Sequence, residues 1–221
     1  MKQKEHFLQT EGDAWFQRTQ TIVSRRILPD DDPVLREILD LPLADTERSE
    51  PLRLLEVGCG ESSRLAWLQA NMHMHCSGVE PSAHAVAVAR AQGVDAHQGS
   101  ADKLPFTNNT FDIVIFGFCL YLCDRSDLFL IAAEADRVLR SPGWLIIMDF
   151  FSPTNKSRPY HHQPEVFSYK MDYRTLFTWH PDYECVTHKV RHHLKQGYTD
   201  DQDEWLGISV IRKHPQTPLS A

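Results

Sequence analysis

From Leu52 onward, short apolar runs alternate with stretches whose apolar residues recur at helical spacing, a rhythm that predicts a parallel sheet covered by helices on both faces. The predicted strands are Leu52 to Val57, His75 to Glu80, Val94 to His97, Phe111 to Phe116 and Trp144 to Phe150. Between them the spacing predicts helices over Ser62 to Asn71, Ser82 to Gln92 and Ser126 to Arg140. The last of these sets Leu128, Ile131, Ala132, Ala135, Val138 and Leu139 on one face and is ended by Ser141-Pro142-Gly143. Ahead of this block lies a more polar arm. Glu5 to Thr10 and Ala14 to Ile27 have helical patches, with Trp15, Phe16, Ile22, Val23 and Ile27 on a loose stripe and Leu28 just beyond. Asp30-Asp31-Asp32-Pro33 predicts a helix stop and restart, with an Asp as N-cap and Pro in the first turn of a helix that runs to Leu39, before a polar connector from Ala44 to Pro51. After Phe151 the rhythm changes. A polar loop from Ser152 to Gln163 and an aromatic, helical segment from Tyr169 to Trp179 precede two strands, Tyr183 to Leu194 and Leu206 to Lys213, which with no helix between them predict an antiparallel hairpin at one edge.

The 221 residues, 42% hydrophobic, are enough for one α/β domain with an extension: a helical arm over 1–50 expected to act as a lid, a cofactor-binding core over 51–150, and an acceptor-side insert with a terminal hairpin over 151–221. The arm and the segment 151–180 are expected to close over the acceptor. A formal net charge of -7, with no segment dominated by Lys and Arg, argues against a nucleic-acid partner. The amino terminus shows no apolar leader, and the longest apolar run, Ile113 to Cys123, has 11 residues, too few to span a bilayer. The expectation is a cytoplasmic protein, monomeric or homodimeric. Cys59, Cys76, Cys119, Cys123 and Cys185 read as reduced thiols, and neither they nor the pairs His161-His162 and His192-His193 have the ligand spacing of a helical zinc site, so no metal is expected.

The chemistry gathers at Glu56-Val57-Gly58-Cys59-Gly60-Glu61-Ser62-Ser63, where a strand runs through glycines into a helix N-terminus. Gly58 and Gly60 permit unusual dihedrals and close ligand approach. The third glycine of a dinucleotide fingerprint is replaced by Ser63, and Glu56 and Glu61 flank the turn. Two carboxylates beside a diphosphate would cost several kcal/mol, on the order of like-charge pairs at reduced dielectric. A cationic ligand fits better. Glu80, at the end of the second strand, is placed to accept from both ribose hydroxyls of an adenosine, a role that NAD and S-adenosylmethionine would share.

Four successive motifs, Glu56-Val-Gly-Cys-Gly60, Val79-Glu80-Pro81, Gly99-Ser-Ala-Asp-Lys-Leu-Pro-Phe106 and Phe111-Asp-Ile-Val-Ile-Phe116, resemble those of the class I S-adenosylmethionine-dependent methyltransferases of the type 11 group. The resemblance covers about residues 52–150. It implies a Rossmann-like seven-stranded sheet in the order 3-2-1-4-5-7-6 with strand 7 antiparallel. It also implies that Glu56, Gly58 and Gly60 hold the methionine part of the cofactor, Glu80 with Pro81 the ribose, and Ser100 with the Ala101 amide the adenine edge. Ser100 stands where relatives commonly have Asp, and Asp102 is the alternative acceptor for the adenine amino group.

Phe116-Gly117-Phe118 and Tyr121 follow a central strand at its carboxyl end, where open α/β sheets bind ligands, and could wall the methyl donor. Methyl transfer depends chiefly on orientation, and a base is needed only for a hydroxyl or ammonium acceptor. Candidate bases are Asp149, Tyr121 and the Tyr160 to Tyr173 cluster, with His161 or His162 preferred. The arm Glu11 to Arg18 and the segment Tyr169 to Tyr173 resemble enzymes of surface-sugar or secondary-metabolite pathways, which implies a small polar acceptor such as a sugar hydroxyl. The competing readings are an NAD-linked oxidoreductase and a non-catalytic regulatory module that keeps the cofactor site.

Overall fold

The computed structural model describes residues 2–23, 28–43, 50–195 and 197–215. Ile27 and connector positions 44–49 fall outside these. Seven strands, β1 (Arg53–Val57), β2 (His75–Glu80), β3 (Asp95–Gln98), β4 (Phe111–Gly117), β5 (Leu139–Phe150), β8 (Tyr183–His192) and β9 (Trp205–Lys213), form one sheet in the order β3-β2-β1-β4-β5-β9-β8. The first five run parallel, and β9 is antiparallel to both its neighbours. This is the order expected from the sequence.

The central strands are buried on both faces, and alternate residues feed two cores. Leu54, Ile113, Ile115 and Ile146 pack on one side, while Leu55, Val57, Val114, Phe116 and Ile147 pack on the other. Helices α3 (Pro33–Leu39), α4 (Ser63–Met72) and α5 (Ala83–Ala91) and helix α6 (Leu128–Val138) cover these faces. Asp32 caps α3, its Oδ1 accepting from the amides of Val34 and Leu35 at 3.0 Å each. Ser82 caps α5 by accepting from the Ala85 amide at 3.0 Å.

From Gln3 to Val23 the arm is one continuous helical run. Helix α1 (Gln3–His6) passes through a wide turn at Phe7–Glu11 into α2 (Gly12–Val23). The helix expected to end at Arg140 ends instead at Val138, and Ser141-Pro142-Gly143 lies inside β5, whose pairing with β9 begins at Gly143. A second correction concerns the insert. Strands β6 (Lys156–Pro159) and β7 (Phe167–Lys170) form a two-stranded sheet, so the expected polar loop contains a strand and the expected aromatic helix is reduced to a short 3-10 turn at Tyr173–Leu176. Cross-strand pairing of Ser157 with Tyr169 and Arg158 with Ser168 outweighs the weak local helical preference of an aromatic, β-prone segment.

Candidate functional site

At the carboxyl ends of β1, β2 and β4 the structure opens a pocket whose empty space, counted with the open solvent at its mouth, is about 730 Å³. Gly58, Glu80 and Pro81, Ser100 and Ala101, and Phe118 with Cys119 form its walls, and Lys4, Phe7, Gly12 and Trp15 from the arm close it from above.

The glycine turn is shaped by left-handed backbone at Gly58 (φ 76°), Gly60 (φ 53°) and Ser62 (φ 63°). Gly58 is doubly constrained, since a Cβ there would lie 2.6 Å from the Cys119 Cβ. Glu80 closes the turn. Its two carboxylate oxygens accept from the amides of Gly60 and Ser82 at 3.0 Å each, and it keeps lone pairs for further donors. Burial pushes its carboxyl up to about 7 against the pull of those amides.

Other anticipated cofactor residues stand back from the pocket wall. Glu56 is buried in an ion pair with Arg64, whose Nε also donates to Asp32 at 2.9 Å. Gly117 gives Glu56 room, because a Cβ at Gly117 would strike the Glu56 Oε1. Phe116 is fully buried in the core against Phe177. Asp102 accepts from Ser100 Oγ at 2.6 Å and pairs with Lys4 of the arm.

The candidate bases fall into two places. Asp149 is buried, accepting from the amides of Leu120 (2.8 Å), Tyr121 (3.3 Å) and Phe150 (2.8 Å); burial pushes it up to about 7 despite those bonds. It thereby fixes the turn that carries Tyr121, whose hydroxyl accepts from Trp15 Nε1 at 3.3 Å and is pushed up by burial. Phe118, Tyr121 and Phe150 pack edge to face at ring distances of 4.8 to 5.5 Å, and Phe118 brings this aromatic cluster to the pocket wall. His161 and His162 sit in the exposed turn between β6 and β7, ring to ring at 3.9 Å and beside Tyr160. Tyr160 reaches the arm, accepting from Arg18 and donating to Glu11 at 3.2 Å each.

Sequence reasoning did not anticipate the arm residues Lys4, Phe7 and Gly12 in the pocket wall, nor Arg64 as partner of Glu56. The i,i+8 spacing of Glu56 and Arg64 across a strand and a helix carries no local signal. Among the described residues, His192, His193 and Glu204 also come close enough to share a metal ion. His192 Nδ1, however, accepts from the amides of Leu194 (3.0 Å) and Lys195 (3.3 Å), which leaves the proton on Nε2, the nitrogen that faces Glu204.

Residues 55–147 match the family model of a methyltransferase domain. That match, together with methyltransferase relatives and a shared fold, supports a class I S-adenosylmethionine-dependent methyltransferase domain in this segment. An uncharacterized methyltransferase of Bacillus subtilis is 29% identical over 125 residues, covering 53% of this chain and 48% of its own length. A fatty-acid O-methyltransferase of Mycolicibacterium smegmatis is 31% identical over 121 residues, covering 52% of this chain and 41% of its own. The chain thus spans about half or less of the length of these curated relatives. In fold it is similar to the Burkholderia thailandensis 1,6-didemethyltoxoflavin-N1-methyltransferase, solved with bound S-adenosylhomocysteine, at a TM-score of 0.61 and 15% identity over 91% of this chain and 89% of that one.

Proposed function

We propose that the chain transfers the methyl group of S-adenosylmethionine to a small-molecule acceptor. The observation that carries this reading is the placement of Glu80 on the pocket wall, tied to the Gly60 amide at 3.0 Å and backed by a glycine turn that a Cβ at Gly58 would obstruct. These residues fit the cofactor. Gly58 lets the methionine part approach the backbone, Glu80 accepts from the ribose, and Ser100 with the Ala101 amide faces the adenine edge. When bound, the cofactor supplies an electrophilic methyl group on a sulfonium.

The chain's own contribution is orientation and exclusion of water. Phe118 borders the pocket and is braced by Tyr121 and Phe150, so the acceptor side is walled by rings. The Tyr160 ring lies 6.3 Å from that of Phe7, a residue of the pocket wall, and its cluster with Glu11 and Arg18 brings polar groups behind that wall, which supports a small polar acceptor of the sugar-hydroxyl or hydroxylated secondary-metabolite kind. Asp149 and Tyr121 hold the acceptor-side turn in place. The experiment is transfer of tritiated methyl from S-adenosylmethionine to fractionated small-molecule extracts and a panel of hydroxylated sugars. Label appearing in a small polar fraction supports the reading; cofactor binding with no transfer to any fraction supports the regulatory alternative.

A further inference from the structure

Helix α1 is fixed to the turns that follow β3 and β4. Asp124 accepts from the amides of Gln3 (3.0 Å) and Lys4 (3.1 Å) and so caps α1 from another part of the chain. The buried Gln3 side chain donates to the carbonyls of Leu122 (2.9 Å) and Phe167 (3.1 Å) and accepts from the Phe167 amide (2.7 Å), joining the arm to β7. At the centre, Lys4 lies between Asp102 and Asp127, 2.9 Å from the latter, and Lys2 also pairs with Asp127.

Lys4 and Ser100 both line the pocket, and Asp102 touches both, so this ion cluster forms the pocket's edge at the turn assigned to adenine. The side chains of Asp102 and Asp127 are only 10% and 7% exposed, which shields the cluster partly from solvent. The other end of the arm is held separately. Asp13 accepts from Ser82 Oγ (2.5 Å) and the His84 amide (3.1 Å), next to Glu80 and Pro81. Gly12 lies so close that a Cβ would be 2.5 Å from the Phe7 carbonyl oxygen and 3.1 Å from the Ser82 amide.

We propose that the Lys4, Asp102 and Asp127 cluster is a latch that holds the N-terminal arm shut over the adenosine end of the pocket, so that cofactor exchange requires the latch to open. This rests on the cofactor reading and adds a control point to it. Asp102 contributes by gripping the arm, and Lys4 is a positioning residue that never contacts the reacting atoms. Opening separates charges that are paired in the closed state, so added salt hastens it.

The test is release of tritiated S-adenosylhomocysteine from the full chain during a chase with unlabelled ligand. Lys4→Met keeps the stem and the helix propensity while removing the charge. It is expected to speed release about tenfold, as expected for loss of about 1.4 kcal/mol from the closed state. Asp127→Asn is expected to act in the same direction, and the double variant to release more slowly than the product of the two single effects would give, since both break the Lys4–Asp127 pair; fully multiplicative effects would overturn the shared latch. Raising salt from about 0.05 to about 0.5 M is expected to hasten wild-type release a few-fold and to have little effect on Lys4→Met. Lys103→Met, which removes an exposed charge from the same turn, is expected to leave release unchanged. If wild type binds and Lys4→Met releases at the wild-type rate with the wild-type salt response, the latch is overturned while the cofactor reading stands; a lowered melting temperature with unchanged release has the same meaning. Wild type that binds no S-adenosylhomocysteine overturns both.

Discussion

Glu80 shows how burial turns a binding residue into a pH-dependent one. Its carboxyl is pushed up to about 7, whereas ribose hydroxyls donate to the charged form. Binding therefore favours the deprotonated state, and S-adenosylhomocysteine affinity is expected to rise as pH climbs from about 6 to about 8, with the rise flattened in Glu80→Gln. Calorimetry at several pH values checks this, and equal slopes in the two proteins would remove Glu80 from the site. In Glu80→Ala, affinity is expected to fall about tenfold, about 1.4 kcal/mol, with the fold intact by circular dichroism. The same burial has a cost in stability. Because Glu80 and Asp149 are both raised to about 7, the native chain binds more protons than the unfolded one between about 4.5 and about 7. These two groups make the ligand-free chain less stable as pH rises through that window, which urea midpoints at its two ends measure against Glu80→Gln. Glu56 teaches a different lesson. Its charge was legible in the sequence as repulsive to a diphosphate, yet Arg64 balances it inside the core. With Glu56 paired in this way, Glu61 is the carboxylate of the turn left to repel a diphosphate, and the methyltransferase-domain match favours S-adenosylmethionine over NAD.

At the scale of elements, the Asp32, Arg64 and Glu56 network ties α3, α4 and β1 together beneath the glycine turn. Removing Arg64 would leave two buried carboxylates facing each other. Arg64→Leu is expected to lower the unfolding free energy by about 3 kcal/mol or more, read from urea denaturation, whereas a loss under about 1 kcal/mol would show that the network is solvated. Strong local signals made most core elements legible: β2 runs over the predicted residues, and Ser82 caps α5 as its sequence suggests. The insert was misread because β6 and β7 are held by each other and by Gln3, a contact 164 residues away along the chain that no local pattern reports. The arm was legible as helical. Its seat was not, because Gly12 against Ser82 and Asp13 against α5 are contacts of tertiary packing. Gly12→Ala is expected to loosen the arm while leaving the sheet intact, seen as faster proteolysis within the first 20 or so residues.

For the whole molecule, alternating strands and helices and the four spaced motifs fixed the class of sheet and the edge on which a ligand lies. Strand order β3-β2-β1-β4-β5-β9-β8 brings the glycine turn, Glu80 and the Ser100 turn to that edge from three separate strands. Among the described residues no helix is long and apolar enough to cross a membrane. The proposed acceptor side was less legible, since the arm, β5 and the β6 to β7 turn that would wall it have a mutual placement that depends on the complete fold. The proposed function places the adenosyl part of S-adenosylmethionine in the pocket lined by Gly58, Glu80, Ser100 and Phe118. Isothermal calorimetry with S-adenosylhomocysteine and with NAD, on wild type and Glu80→Ala, tests it most directly. One saturable S-adenosylhomocysteine site per chain, weakened about tenfold by the substitution, and no heat with NAD are expected; saturable NAD binding with no response to S-adenosylhomocysteine would overturn the cofactor assignment.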